Sequence, residues 1–147
     1  MKTKNLTFNN KRVYFDYEIL EKIEAGIVLH GTEVKSIRDG KISINGTFCV
    51  FVENELFIKN SDIAIYDEGS YNNHETKRDR KLLLHRKELK RLKKRIEEKG
   101  LTIVPIRVYC NEKNIFKIEI GIARGRKSKD KREYIKDRET KKEMKDF

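Results

Sequence analysis

Tyr17, Ile19, Ile23 and Ala25 alternate with polar neighbours, and Gly26 interrupts the pattern before Ile27, Val28 and Leu29. A period of two over that length predicts a long strand, and the glycine inside it predicts a bulge or a sharp bend, as at a barrel corner. Ile42, Ile44, Phe48, Val50 and Val52 keep the same period. Glu53-Asn54-Glu55 then offers a turn in which Asn54 tolerates positive φ, and Leu56-Phe57-Ile58 resumes, which predicts a hairpin. A second hairpin is predicted around Asn111-Glu112-Lys113-Asn114. Leu101 to Cys110 is apolar on both faces, while Phe116, Ile118, Ile120 and Ile122 point one way and Lys117 and Glu119 the other.

Helical signal is scarce. Thr32 to Arg38 is short and ends at Gly40, whereas Arg86 to Lys99 aligns Leu89, Leu92 and Ile96 on one stripe and stops at Gly100, a natural C-cap. The opposite face of that second helix carries Lys87, Lys90, Arg91, Lys94 and Arg95, too many cations to pack against a core. Beyond Arg124 the apolar periodicity nearly vanishes, with Tyr134, Ile135, Met144 and Phe147 scattered among charges, which predicts a tail disordered when free. The expected fold is therefore mainly β: an OB-type antiparallel barrel over 1–124 with about three peripheral helices, and a basic tail over 125–147.

Composition narrows the partners. A chain of 147 residues and 17.5 kDa suits one domain. No apolar run approaches the roughly 20 residues of a membrane helix, and MKTKNLTFNN lacks the apolar stretch of a secretory signal, so a cytoplasmic protein is expected, with no membrane partner. Cys49 and Cys110 lie in apolar runs without zinc-ligand spacing and read as reduced core residues, so neither metal nor cofactor is expected. The net charge of +11 is uneven. Up to Glu75 there are 9 Lys+Arg and 12 Asp+Glu; from Thr76 onward there are 26 and 12. Lys77 to Lys99 holds 12 basic and 4 acidic residues, and Arg124 to Phe147 holds 11 and 6. Such runs are often only solvated faces, but two of one sign in a small chain favour a nucleic acid, where each neutralised phosphate releases counterions.

Four separated strings carry a resemblance. Glu24-Ala25-Gly26-Ile27-Val28-Leu29 with Gly31-Thr32-Glu33-Val34-Lys35-Ser36, then Arg80-Lys81-Leu82-Leu83-Leu84-His85, then Gly125-Arg126-Lys127 with Asp130-Lys131-Arg132-Glu133, and finally Ile135-Lys136-Asp137-Arg138-Glu139, occur in the order of the small protein B family. The chain thus resembles the SsrA-binding proteins of bacteria over Asn10 to Glu139. The resemblance implies an OB-type barrel that binds the tRNA-like part of tmRNA as a monomer when free. It also implies a ribosomal partner, with the tail working in the decoding centre and mRNA path of a stalled ribosome. It places RNA contacts on Glu24, Leu83 and Lys117, with supporting cations at Lys11, Lys35, Arg38 and Lys81. In the tail it implicates Arg126, Lys127, Lys129, Asp130, Lys131, Arg132, Lys136 and Arg138.

The residue chemistry is consistent with these roles. Lys117 leaves a strand opposite its apolar face, as an ordinary exposed lysine also would. Glu24 could accept from a base amino group or orient an arginine of the same surface. Of Leu82, Leu83 and Leu84, at least one is expected to point outward, where it would pack on an unstacked base. Like charges at Arg132 and Lys136 become tolerable once RNA supplies counter-charge, Tyr134 and Phe147 could stack on bases, and 22 residues from Arg126 would span about 33 Å as a helix. The chain departs from the family at Phe15, where many members have histidine, at the loop after His74, which lacks a proline, and at Lys129, where histidine or tyrosine is frequent. His30 with Glu33, or His74 with Glu75, could be drawn as an acid–base pair for RNA cleavage, but no HExxH, GxxxxGK[ST] or GxSxG element accompanies them. A noncatalytic RNA-binding adaptor is expected. The alternative is a general ribosomal or RNA-chaperone OB protein, without preference for a tRNA-like elbow.

Overall fold

The computed structural model describes residues 6–67, 73–127 and 131–138. Its elements run β1 (Thr7–Asn9), α1 (Val13–Asp16), β2 (Tyr17–Ile27), α2 (Gly31–Arg38), β3 (Ile42–Ser43), β4 (Phe48–Val52), β5 (Glu55–Lys59), β6 (Asp62–Ile63), β7 (Arg80–Leu83), α3 (Arg86–Ile96), β8 (Leu101–Cys110) and β9 (Phe116–Gly125). A fourth helix, α4, covers 131–138. All strand pairs are antiparallel, and the order β8-β4-β5-β7-β2-β9 closes on itself because β9 also pairs with β8. The expected OB-like, mainly β architecture is what forms. Closure removes the open sheet edge that would otherwise invite pairing with another chain.

Side chains of period two fill the ring. Ala25, Cys49, Leu56, Ile58, Leu82, Ile103, Val108, Ile118, Ile120 and Ile122 are buried in one cluster, sealed at one end by Leu92 of α3. The Glu53-Asn54 turn between β4 and β5 holds both residues at positive φ (49° and 67°), the twist that suits a two-residue hairpin. Helix α2 ends as a Schellman cap: Gly40 at φ 77° donates to Ile37 O at 2.9 Å, and Lys41 N to Ser36 O at 3.0 Å.

Three features differ from the sequence expectation. The bulge in β2 lies between Ile19 and Glu21 rather than at Gly26, and a second bulge lies in β8 between Pro105 and Arg107. Each extra residue inverts the faces of its strand. Ile19 therefore joins Val13, Val104, Ile106 and Ala123 in a second, outer cluster beneath α1, whereas Ile23 faces the main core. Helix α3 ends at Ile96, and Gly100 at φ 84° belongs to the turn that enters β8 instead of capping the helix directly. Finally, 131–138 is helical although the sequence predicts disorder when free. The reason is a local anchor on α1. Lys131 Nζ lies 3.4 Å from Asp16 Oδ1, and the rings of Phe15 and Tyr134 are 6.5 Å apart.

Candidate nucleic-acid interface

Strand β2 occupies the position that builds the site. Along one edge Glu24 and Gly26 stand opposite Glu119 and Lys117 of β9; along the other Gly26 stands opposite Leu83 of β7. Three residues distant in sequence thus meet at the one place where β2 passes from its β9 neighbour to its β7 neighbour. They line an open groove of about 530 Å³, completed by His85 and by Glu88 on the first turn of α3. Leu83 is 52% exposed while Leu82 is fully buried, so the outward member of the leucine run is the one expected to meet RNA. Lys117 has no carboxylate within salt-bridge distance among the described residues.

Gly26 keeps the floor of the groove open. A Cβ there would lie 3.1 Å from Leu83 Cβ, so the two strands could not pair as they do without a shift. Gly26→Ala is expected to lower unfolding stability by about 1 kcal/mol, read as a lower urea midpoint with unchanged m-value. An unchanged midpoint would show that β7 yields freely.

The supporting cations do not converge on this groove. Lys81 projects from the same face of β7 but lies 3.6 Å from Glu55 Oε2. Lys35 and Arg38 are exposed on α2, with Lys35 Nζ 5.4 Å from the Tyr66 ring centre. Lys11 is exposed in the turn before α1, its backbone N–H donating to Asn45 Oδ1 at 3.0 Å. Helix α3, whose first turn borders the groove, carries further cations. Lys87, Lys90 and Lys94 are exposed there without an acidic partner among the described residues, whereas Arg91 is held by Glu21 at 2.7 Å and Glu88 at 2.9 Å.

The tail leaves the barrel at a separate place. Arg126 donates from its backbone to Asp16 O at 2.9 Å and from Nε to Tyr14 O at 3.1 Å, and its guanidinium stands 4.7 Å from the Tyr134 ring centre. Arg138 reaches the same ring at 5.9 Å, and Lys131 and Arg12 flank Phe15 at 5.4 and 4.9 Å. Two aromatic rings among four cations form a small platform that phosphates or bases could approach. Phe15, where the resemblance expects histidine, is thereby a packing partner of the tail. Arg132, Lys136 and Lys127 are exposed. Lys129 and Asp130 lie outside the described residues.

A sequence model of the family described as SmpB protein matches residues 7–147. The chain belongs to the SmpB family. It is 49% identical to the SsrA-binding protein of Bacteroides thetaiotaomicron over 144 residues, covering 98% of this chain and 96% of that one. It is 52% identical to the SsrA-binding protein of Thermus thermophilus over 134 residues, covering 91% and 90%. Among solved structures, a chain described under "tmRNA-SmpB: a journey to the center of the bacterial ribosome" superposes with a TM-score of 0.70 at 48% identity, over 88% of this chain and 94% of that one.

In this SmpB-family chain, Glu33 and His74, one member of each pair drawn for acid–base work, are engaged within the fold. Glu33 and Arg80 are both fully buried, with Arg80 Nε 2.6 Å from Glu33 Oε2. The rest of the guanidinium donates to Ser61 Oγ at 2.8 Å and to the carbonyls of Ser61, Arg78 and Thr76 at 3.0 to 3.1 Å. The other oxygen of Glu33 accepts from Arg78 at 2.6 Å and from the His30 backbone at 2.7 Å. His74 is also occupied. Its Nε2 lies 2.9 Å from Ile63 O, which requires the proton on Nε2, and its Nδ1 lies 2.8 Å from Thr32 Oγ1. The string Arg80-Lys81-Leu82-Leu83 thus alternates between an inward cation and leucine that build the core and an outward lysine and leucine. Sequence reasoning missed Arg80, Arg107, Tyr109 and the groove residue His85. Period two from Leu83 would have pointed to Lys81 but not to Tyr109, which the β8 bulge turns outward.

Proposed function

We propose that this chain is a noncatalytic adaptor whose barrel binds the tRNA-like part of tmRNA and delivers it to stalled ribosomes for trans-translation. The observation that carries this reading is the meeting of Glu24, Leu83 and Lys117 on one groove. Its chemistry suits an unstacked nucleotide. Leu83 gives an apolar surface for a base face, Glu24 gives an acceptor for a base amino group, and Lys117, which meets no carboxylate among the described residues, gives a cation for the adjoining phosphate. Lys87, Lys90 and Lys94 continue the positive surface along α3. We further propose that 1–124 grips tmRNA and 125–147 acts in the decoding centre and the empty mRNA channel, through Arg126, Lys127, Lys129, Asp130, Lys131, Arg132, Lys136 and Arg138. Among the described residues no helix is long and apolar enough to cross a membrane. A cytoplasmic site of action follows from the proposed ribosomal partner.

The reading is tested by titrating the chain with the isolated tRNA-like domain at several salt concentrations, with unstructured RNA as competitor. Affinity should fall steeply with salt. Lys117→Ala should weaken binding about threefold to tenfold and reduce the slope of log K against log salt by about one phosphate, roughly 0.7 to 0.9. A flat salt response, or an unaltered Lys117→Ala, contradicts the grip. Equal competition by unstructured RNA supports the general RNA-chaperone alternative.

A further inference from the structure

The outward face of β8, β9 and β2 sets six residues in a grid fixed by strand register. Arg107 and Tyr109 of β8 stand opposite Glu119 and Lys117 of β9, which stand opposite Glu24 and Gly26 of β2. Glu24 and Glu119 are therefore direct cross-strand neighbours of like charge, an arrangement that destabilises a sheet unless each finds a partner. Each does, and both partners come from β8. Arg107 Nε lies 3.4 Å from Glu119 Oε1, and the Tyr109 hydroxyl donates to Glu24 Oε2, reaching diagonally across β9. The Arg107 guanidinium also stacks on the Tyr109 ring, 4.2 Å from its centre, which fixes the plane of that ring.

We propose that Tyr109 is the positioning residue of the groove: its hydroxyl holds the Glu24 carboxylate in place, with the ring braced by Arg107, so that the free carboxylate oxygen faces an incoming base. This rests on the reading of the groove as the tmRNA site. The consequence is selectivity. A carboxylate held on one oxygen is ready to accept from a base N–H donor edge, whereas a mobile one must be ordered and dehydrated at the moment of binding. Burial, and then the bond to Glu24, push the Tyr109 hydroxyl up to about 12, so at neutral pH it remains a donor. Tyr109 itself need not touch RNA.

The test is a double-mutant cycle on the full chain with the tRNA-like domain of tmRNA as ligand. Tyr109→Phe keeps the ring under Arg107 and removes only the hydroxyl. In the natural background it should weaken binding about fivefold, the effect of one lost hydrogen bond, with the salt slope unchanged. In a Glu24→Ala background the same change should cost less than twofold, because the group it positions is gone. Thermal midpoints of the variants locate any loss in the fold. A fivefold loss in both backgrounds, or no loss in the natural one, overturns the positioning role while leaving the groove in place. If Glu24→Ala alone leaves affinity unaltered, the reading of the groove fails, and this inference with it.

Discussion

Deleting 127–147 should leave binding to the tRNA-like domain within about threefold of the intact chain and abolish tagging of stalled nascent chains. The two surfaces share no side chain among the described residues. The groove belongs to β2, β7, β9 and the start of α3. The tail is tied to α1, through Asp16 to Lys131 and Phe15 to Tyr134. Cutting after Arg126 keeps the bonds to Asp16 O and Tyr14 O that close the barrel end. What is lost is Lys127, Lys131, Arg132, Lys136 and Arg138, the cations proposed to track RNA beyond the barrel. Replacing Asp130, Lys131 and Arg132 by alanine keeps the length and should reduce tagging at least tenfold with little change in tmRNA affinity. Loss of affinity on deletion would place the tail in the tmRNA grip, and normal tagging would make it dispensable; either breaks the proposed division.

Glu33→Ala should cost about 3 to 5 kcal/mol of unfolding free energy, the penalty for stranding a buried cation. Arg80 is wholly enclosed, its donors directed at the Glu33 carboxylate, Ser61 Oγ and four backbone carbonyls of the 61–78 region, so removing the carboxylate leaves a buried cation without its counter-charge. The loss is large beside the roughly 5 to 15 kcal/mol that keeps a typical domain folded. Burial alone would raise the Glu33 carboxyl, but the bonds from Arg78, the His30 backbone and Arg80 outweigh it and hold the group below its ordinary 4.5. The folded state therefore binds fewer protons there than the unfolded state. Its contribution is full above the unfolded value and is lost as pH falls through the folded one. Urea midpoints of the intact chain and Glu33→Gln should accordingly differ most near neutrality and converge in acid below about 4.5. A cost under about 1 kcal/mol for Glu33→Ala, or a gap that widens in acid, would show that Arg80 is not held as described.

The strands were legible because their apolar residues keep period two: Phe116 to Ile122 reads correctly from spacing alone, whereas in β4 the spacing of Phe48, Val50 and Val52 points to the wrong face, since Phe48 and Val52 are exposed while Cys49 is buried and Phe51 packs on the core. The bulges were not, because an extra residue leaves no compositional mark when it is itself apolar, as Leu20 and Ile106 are. That is why Leu101 to Cys110 reads as apolar on both faces although Val104 and Ile106 pack under α1 while Ile103 and Val108 fill the barrel. It is also why Tyr109 escaped notice. Family resemblance alone singles out Leu83 and Lys117, and only the register of β2 brings them together. Arg80 was hidden by the same positive run that suggested RNA binding, since charge counts do not distinguish a solvated guanidinium from one enclosed by carbonyls. Helix α1 and the anchoring of 131–138 depend on contacts between residues far apart in the chain, beyond the reach of local pattern.

On the proposed function, tmRNA meets the barrel at the crossing of β2, β7 and β9. The most direct test follows backbone amide resonances of the full chain during titration with the tRNA-like domain. The largest shifts should fall at Glu24, Ala25, Gly26, Leu83 and Lys117, with smaller ones along the first turns of α3. Shifts concentrated on Lys35 and Arg38 of α2 or near Lys11, with the groove residues unmoved, would contradict it.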